Sequence, residues 1–276
     1  FIHTNIPPTS YSISKYKPIS RAFFKIVEIY NTFNLLSHNH PIKTYHLAEG
    51  PGGFIEATSY IRNNTADKYY GMTLIERKNN NVPGWKKSQA FLKKYPNVHI
   101  ETGATGNGDL YNPDNFKYCF NNHQNSFHII TGDGGFDFSS DFNHQEDQAF
   151  RLIFTQVMYA IAMQKYGGTF ILKIYDCFLL STNQLIYVLS TFYNNVYISK
   201  PNTSRHANSE KYIICTDFKE TDTTIISHKF MRVLTVLQNI KFNIYSISNI
   251  IDLPINLYFK NHIQEINAIF GQQQIE

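Results

Sequence analysis

From Pro41 onward, short apolar runs of strand character alternate with longer stretches of helical spacing, and this alternation constrains the fold more than any other feature of the chain. Residues 44–48, 69–75, 98–102, 127–131 and 169–175 read as five strands, and 196–199 and 212–216 as two more. Between them, 54–63, 86–95, 145–166 and 182–193 carry helical spacing, the third of these stopped by Gly167-Gly168. Strands alternating with helices of this length build βαβ units, hence an α/β fold with a mostly parallel sheet and helices on both faces. The runs at 127–131 and 169–175 are continuously apolar, as in strands covered on both sides. No helix separates the last two strands, so the final one is expected to run antiparallel, at or near the sheet edge. Ahead of the alternation, Phe23, Ile26, Val27, Tyr30 and Phe33 form one apolar helical stripe, with Ser20 placed to cap it and Lys25 on its polar side. The expected organisation is an arm at 1–18, a main domain at 19–218, and a helical or mixed extension at 219–276 packed on it.

Composition narrows the classes further. With 276 residues the chain is long enough to bury a substantial core, and with 17% charged residues it is too poor in charge for a coiled coil. A formal net charge of +4 permits a polyanionic substrate without requiring one. No apolar run approaches the ~18 residues of a membrane span, and the first residues lack the basic start and apolar stretch of a secretory signal. The chain opens on Phe1 and is read as part of a longer one. Cys119, Cys177 and Cys215 lie too far apart for a CxxC pair, so a reducing, cytoplasmic setting is expected.

Five places carry potential chemistry. His46-Leu47-Ala48-Glu49-Gly50-Pro51-Gly52-Gly53-Phe54 joins a strand to a helix through a glycine turn. Such a turn lets backbone approach a ligand, or is simply a tight connection. It is neither GxGxxG nor a P-loop. Lys173 interrupts an apolar strand: either it snorkels to solvent or it is buried beside a carboxylate. Asp133 ends a strand among glycines and reads equally as a turn residue. Glu210 before the last strand, and Lys25 on the first helix, read individually as surface charges. His38 and His40 lack an apparent third metal ligand and read as a solvated loop.

In order along the chain, these residues resemble the FtsJ-type (ribosomal RNA methyltransferase-like) family of ribose 2′-O-methyltransferases, which carries a Lys-Asp-Lys-Glu tetrad. Ser20-Arg21-Ala22-Phe23-Phe24-Lys25 resembles its SRAxxK helix, and Glu49-Gly50-Pro51-Gly52-Gly53-Phe54 its AGPGGF loop. Gly132-Asp133-Gly134-Gly135-Phe136-Asp137 and Phe170-Ile171-Leu172-Lys173 match the tetrad aspartate and second lysine. Lys200-Pro201 through Ser204-Arg205 to Ser209-Glu210-Lys211-Tyr212 resembles KPxxSRxxSxExY. His46 stands where the family usually has Asp. In that respect the chain is more similar to the adrift-type cap methyltransferases and their relatives in large DNA viruses of eukaryotes.

The resemblance implies a Rossmann-like methyltransferase sheet with one antiparallel strand, and S-adenosylmethionine as cofactor. It implies a cofactor site at Glu49, Gly50, Pro51, Gly52, Gly53 and Phe54, with Asp109 at the adenine, Asp133 adjoining and Glu76 as a weaker ribose candidate. Lys25, Asp133, Lys173 and Glu210 would be the catalytic set, with no metal. Glu49 would take over the acidic role left by His46. Lys173, made less basic by burial, would accept the hydroxyl proton or stabilise the developing alkoxide. The implied partner is RNA, most specifically capped mRNA, together with capping-machinery proteins. An internal ribosomal or transfer RNA site and a non-catalytic RNA-binding scaffold are the alternatives. Lys15, Lys17, Arg21, Lys200, Arg205 and Lys211 are candidate phosphate contacts, and Tyr11 and Tyr16 candidate base stackers.

Overall fold

The computed structural model describes residues 14–76, 82–136, 144–205, 208–241, 243–244, 247, 249–252 and 254–275. Tyr11 and Asp137 lie outside them. The chain forms α1 (Ala22–Thr32), β1 (Lys43–Leu47), α2 (Gly53–Arg62), β2 (Lys68–Met72), α3 (Gln89–Lys94), β3 (Val98–Glu101), α4 (Pro113–His123) and β4 (Phe127–Gly132). It continues with α5 (Gln145–Met163), β5 (Gln164–Ile174), α6 (Leu180–Phe192), β6 (Tyr193–Ser199), β7 (Lys211–Phe218), α7 (Thr224–Gln238) and α8 (Leu257–Ile275).

The strands form one seven-stranded sheet in the order β3-β2-β1-β4-β5-β7-β6. The pairings from β3 to β5 are parallel, and β7 is antiparallel to both its neighbours, β5 and β6. The expected antiparallel strand is thus the last, one place in from the edge, and β6 takes the edge itself. Strand order reverses between β1 and β4, the kind of switch point where open α/β sheets leave a crevice.

Side-chain alternation divides the core in two. Ile129, Ile171, Tyr212 and Ile214 face α1 and α2, where Phe23, Ile26, Tyr30, Phe54 and Ala57 close over them. Tyr45, Leu47, Ile130, Phe170, Leu172 and Ile213 face the other way, into a larger core with α4, α5 and α6. Leu234 of α7 and Ile263 of α8 join that larger core, so the extension packs on the sheet's helical cover. Lys173 has the parity of Ile171 and therefore emerges on the α1 side, at the carboxyl end of its strand.

Several sequence expectations change. Ser20 does not cap α1: Arg21 stands at the cap, and the buried Ser20 hydroxyl has no hydrogen-bond partner among the described residues. Helix α4 fills the stretch between β3 and β4, for which the spacing predicts no element. Helix α5 stops at Met163, before the glycine pair, which lies inside β5 where its register on β4 shifts. Gln164 explains the early switch. It is fully buried, gives its amide to the Phe127 carbonyl at 2.8 Å and accepts from the Tyr193 hydroxyl at 3.1 Å, contacts that anchor it as a strand residue.

Candidate active site

A cleft of about 750 Å³ opens at the carboxyl ends of the central strands. Its wall includes Gly50 after β1, Thr73 after β2, Asp109 after β3, Asp133 after β4, Lys173 on β5 and Glu210 before β7. Two ion pairs gather the four charged residues singled out in the sequence. Lys25 Nζ lies 2.6 Å from Glu210 Oε1, and Lys173 Nζ lies 3.3 Å from Asp133 Oδ1. Lys173 also donates to the Asp133 backbone carbonyl at 2.8 Å. Glu210 and Lys173 act on each other electrostatically, which links the two pairs. Lys25 reaches the site from behind, through Glu210.

The electrostatics reverse one expectation. Burial alone pushes the Lys173 ammonium toward neutrality, but Asp133 and Glu210 overcome it and hold its pKa well above the usual lysine value. Lys173 is therefore a cation here, not a lysine made less basic. Burial likewise opposes the charge on Glu210, and Lys25 and Lys173 outweigh it, keeping that carboxyl below its usual range.

Neighbours outside the catalytic and cofactor candidates hold these groups in place. The fully buried Tyr212 donates to Asp133 Oδ1 at 2.9 Å, and Ser204 donates to Glu210 Oε1 at 2.8 Å. One turn beyond Lys25, the Glu28 carboxylate takes the backbone amides of Asn202 and Thr203 at 2.7 and 2.9 Å. Helix α1 thus grips both the loop before Glu210 and Glu210 itself. Lys200 Nζ donates to the carbonyls of Asn208 and Glu210 at 2.5 and 3.1 Å, and burial beside Lys211 lowers its pKa to about 8. The Tyr and Ser of the SxExY and KPxxSR motifs were visible in the sequence, but their contacts depend on strand register.

The glycine loop divides by task. Gly50 lines the cleft, where a Cβ would come 2.8 Å from Gly84 O and 3.0 Å from Thr73 Oγ1. Gly52 has φ +114° ahead of α2, and its neighbour Pro51 accepts from Ser88 Oγ at 2.5 Å. Gly53 and Phe54 turn away: a Cβ at Gly53 would strike Ser20 Oγ and lie 2.9 Å from Ala22 Cβ, and the Phe54 ring packs near Tyr212 beneath the sheet. Glu49 is buried behind the loop, its Oε1 accepting from the amides of Phe54 and Ile55 at 2.8 and 2.9 Å. Burial raises its pKa well above the usual carboxyl value. Asp109 lines the cleft and accepts from the Tyr111 amide at 2.9 Å. Glu76 is exposed just past β2 and is not part of the cleft wall. His46 is fully buried, bridged by Thr44 and Thr131 hydroxyls at 2.9 and 2.8 Å, and desolvation lowers its pKa to about 3.

Three of the candidate RNA contacts are already engaged. Lys211 is buried against Asp176 at 3.0 Å, Lys200 holds its own loop, and the Tyr16 ring stacks on Phe23 while its hydroxyl donates to Glu56. Lys15, Lys17 and Arg205 are exposed, and Arg21 is half-buried. The rings of His38 and His40 meet a third, His128. Nδ1 of His128 accepts the Lys43 amide at 3.1 Å, and its Nε2 lies 3.3 Å from Lys165 Nζ, so both ring nitrogens already face a donor. Among the described residues no group of three or more His, Cys, Asp or Glu is arranged for a metal, and no helix is long and apolar enough to cross a membrane.

The chain is similar to several known proteins. Over 238 residues the chain is 28% identical to the cap-specific mRNA (nucleoside-2′-O-)-methyltransferase 1A of Caenorhabditis briggsae, covering 82% of this chain and 26% of that protein. Over 176 residues it is 30% identical to a cap-specific mRNA (nucleoside-2′-O-)-methyltransferase 1 of Trypanosoma brucei, covering 61% and 45%. The chain therefore spans less than half the length of these relatives. A crystal structure of a ribosomal RNA methyltransferase from Plasmodium falciparum superposes with a TM-score of 0.49 at 21% identity, over 72% of this chain and 97% of that one. The sequence profile of the FtsJ-like methyltransferases matches residues 18–218, more than half of the chain, including the glycine loop and all four charged residues of the cleft. This chain belongs to the FtsJ-like methyltransferase family.

Proposed function

We propose that this chain is an S-adenosylmethionine-dependent RNA ribose 2′-O-methyltransferase acting at the mRNA cap, with Lys25, Asp133, Lys173 and Glu210 as its working tetrad. The observation that carries the reading is the pair of linked ion pairs at the cleft, 2.6 and 3.3 Å long, in a chain of this family. The names of the relatives support the capped substrate.

The cleft suits the cofactor chemically. Asp109, Asp133 and Glu210 outnumber Lys173 on its wall, which leaves the lining acidic on balance for a cationic ligand, and Gly50 lets the loop after β1 run close against Gly84 and Thr73. Gly50 and Asp109 would hold the ligand, with Glu49 fixing the loop from behind. S-adenosylmethionine supplies a methyl group on a sulfonium, a leaving group good enough that no metal is called for.

The remaining work falls to the protein. The acceptor hydroxyl must be held in line with the methyl group and must release its proton to solvent as the oxygen–methyl bond forms and the carbon–sulfur bond breaks onto sulfur, and the charge developing on its oxygen must be stabilised. Lys173, kept as an ammonium by Asp133 and Glu210, is a charged donor aimed into the cleft, and in this reading it binds that oxygen. Asp133 orients it, Tyr212 orients Asp133, and Lys25 neutralises Glu210. The four groups titrate as one coupled set.

The test supplies labelled S-adenosylmethionine to the wild type and to Lys173→Ala, with short RNAs bearing capped or uncapped ends. Label in the ribose of capped RNA from the wild type alone is the expected result. Transfer that survives in Lys173→Ala removes the assigned mechanism, and preference for uncapped internal sites removes the cap assignment. Calorimetric binding of the cofactor by a wild type that transfers nothing would replace the enzyme with a binding module.

A further inference from the structure

Asp133 is flanked by Gly132 and Gly134, and one side chain of α5 lies against both glycines. Gln156 is fully buried on a helix that otherwise buries mostly apolar residues. Its Nε2 donates to the Leu152 carbonyl one turn earlier at 3.1 Å, and its Oε1 accepts from the buried Gly134 amide at 3.2 Å. A Cβ built on Gly132 or on Gly134 would come 2.7 or 3.0 Å from that same oxygen. The carboxamide thus fills the room left bare on both sides of Asp133.

The Gly134 N–H shares its peptide unit with the Asp133 carbonyl, which accepts from Lys173 Nζ at 2.8 Å. A peptide unit is planar and trans, so its N–H and C=O point in opposite directions, and fixing one end fixes the other. Hydrogen bonds in series through one amide also polarise each other, so an acceptor at the N–H makes the carbonyl a better partner for the ammonium. Lys173 Nζ is therefore aimed by two groups of residue 133. Tyr212 holds the carboxylate, 3.3 Å away, and Gln156 holds the carbonyl through Gly134. A methionine at residue 156 would fill a similar volume and leave a buried N–H without a good acceptor.

Resting on the reaction class assigned above, we propose that Gln156 is a positioning residue for methyl transfer: from outside the cleft wall it fixes the Asp133–Gly134 peptide, whose carbonyl aims the Lys173 ammonium at the acceptor oxygen. Gln156 touches neither RNA nor cofactor in this role. It acts on the reaction only through the direction of one backbone carbonyl.

The test compares the wild type with Gln156→Met, Gln156→Glu and Val157→Ala, using capped RNA and labelled S-adenosylmethionine. Gln156→Met keeps the length of the side chain and removes the carbonyl acceptor. Its kcat is expected to fall by about 10- to 100-fold, the scale of a small misplacement at a reacting centre. Its calorimetric affinity for the cofactor and its KM for RNA should stay within about threefold of wild type, because only the transition state depends on the aim of Lys173. Gln156→Glu, protonated in this buried place, keeps an acceptor for Gly134 and a donor for Leu152, and should recover most of the lost kcat. Val157→Ala, in the larger core one residue on, controls for packing: it should lower the melting temperature and leave kcat unchanged. Wild-type kcat in a folded Gln156→Met overturns the proposal. So does a Gln156→Glu as slow as Gln156→Met, or a Val157→Ala that loses as much kcat, since weakened packing would then account for both. If Gln156→Met fails to fold, amide hydrogen exchange in the wild type decides: Gly134 should be protected well beyond exposed Gly135, and equal exchange overturns the proposal. A wild type that methylates no RNA ribose removes the assigned reaction and this role with it. An active wild type matched by Gln156→Met removes this role alone.

Discussion

Lys25 on the first helix and Glu210 at the head of the last strand are 2.6 Å apart, with side chains 15% and 10% exposed. Helix α1 lies over the sheet face that carries Ile171 and Tyr212, and this packing brings the amino-terminal lysine to the carboxyl end of the sheet. The contact is therefore tertiary evidence that α1 is part of the site. The Glu28 clamp on Asn202 and Thr203 fixes the same helix to the same loop.

Breaking this pair on one side leaves a buried charge without its partner, at a cost of roughly 3–5 kcal/mol for well-buried pairs and less for one with some solvent access. Lys25→Met and Glu210→Gln should each lower the urea midpoint, and the double variant should lose clearly less than the sum. Additive losses in the double-mutant cycle would show that the two residues are not coupled. Methyl transfer should fall in both single variants, because Glu210 and Lys173 act on one another.

A second expectation concerns Gly53, within the loop that resembles a cofactor cradle. The close approach of α1 to α2 occupies the place of its missing side chain: a Cβ would meet Ser20, and Ala22 at 2.9 Å. Gly53→Ala should cost about 1–3 kcal/mol of stability by overpacking. Gly52→Ala should also be destabilising, for a different reason, since its φ of +114° is unfavourable for a side chain. Thermal unfolding measures both, and an unperturbed Gly53→Ala would mean that the two helices do not pack this closely.

The alternation of strands and helices was legible because each run buries one or both faces, and the four charged residues were legible through ordered motifs around them. What the sequence hid was direction. Lys200 and Lys211 look like phosphate contacts in a basic motif, yet carbonyls and Asp176 turn both inward. Tyr175 looks like the apolar end of a strand, and the structure sets it in the cleft wall beside Lys173. Helix α4 had signals that could have found it: Asn112 caps it through Asp114, Pro113 opens it, and Phe116, Cys119 and Phe120 bury one side. The polar residues between them diluted the apolar stripe. The depressed basicity expected of Lys173 reversed because the number and proximity of carboxylates around it are tertiary facts.

Glu49 offers a test that separates shape from charge. Its Oε1 holds the first amides of α2, and burial raises its pKa well above the usual carboxyl value. Glu49→Gln keeps an acceptor and should unfold within about 1 kcal/mol of wild type. Glu49→Ala strands two buried donors, at about 1–3 kcal/mol each, and should also weaken cofactor binding by loosening the loop. Equal melting temperatures for the two variants would mean that those amides do not depend on residue 49.

The pH dependence of stability should carry a signature of His46. This imidazole is neutral in the fold, its pKa lowered from 6.5 to about 3 by desolvation, with both ring nitrogens held by threonine hydroxyls. Below pH 6.5 the unfolded chain takes up a proton at His46 that the folded chain refuses, so the unfolded state binds more protons and stability falls as pH falls. The contribution is complete above pH 6.5 and is lost progressively toward pH 3. At about 1.4 kcal/mol per pKa unit, the full shift is worth roughly 5 kcal/mol. His46→Gln should be less stable than wild type at pH 7, because the threonine bridge is disturbed. It should then lose less stability on acidification, since the proton-linked penalty is gone. Asp67, Glu101 and Glu210, whose pKa values are lowered in the fold, also favour stability at higher pH, but they are present in both proteins and cancel in the difference. Urea midpoints of the two proteins between pH 7 and pH 4 should therefore converge. Parallel curves over that range would mean that residue 46 is not a buried neutral histidine.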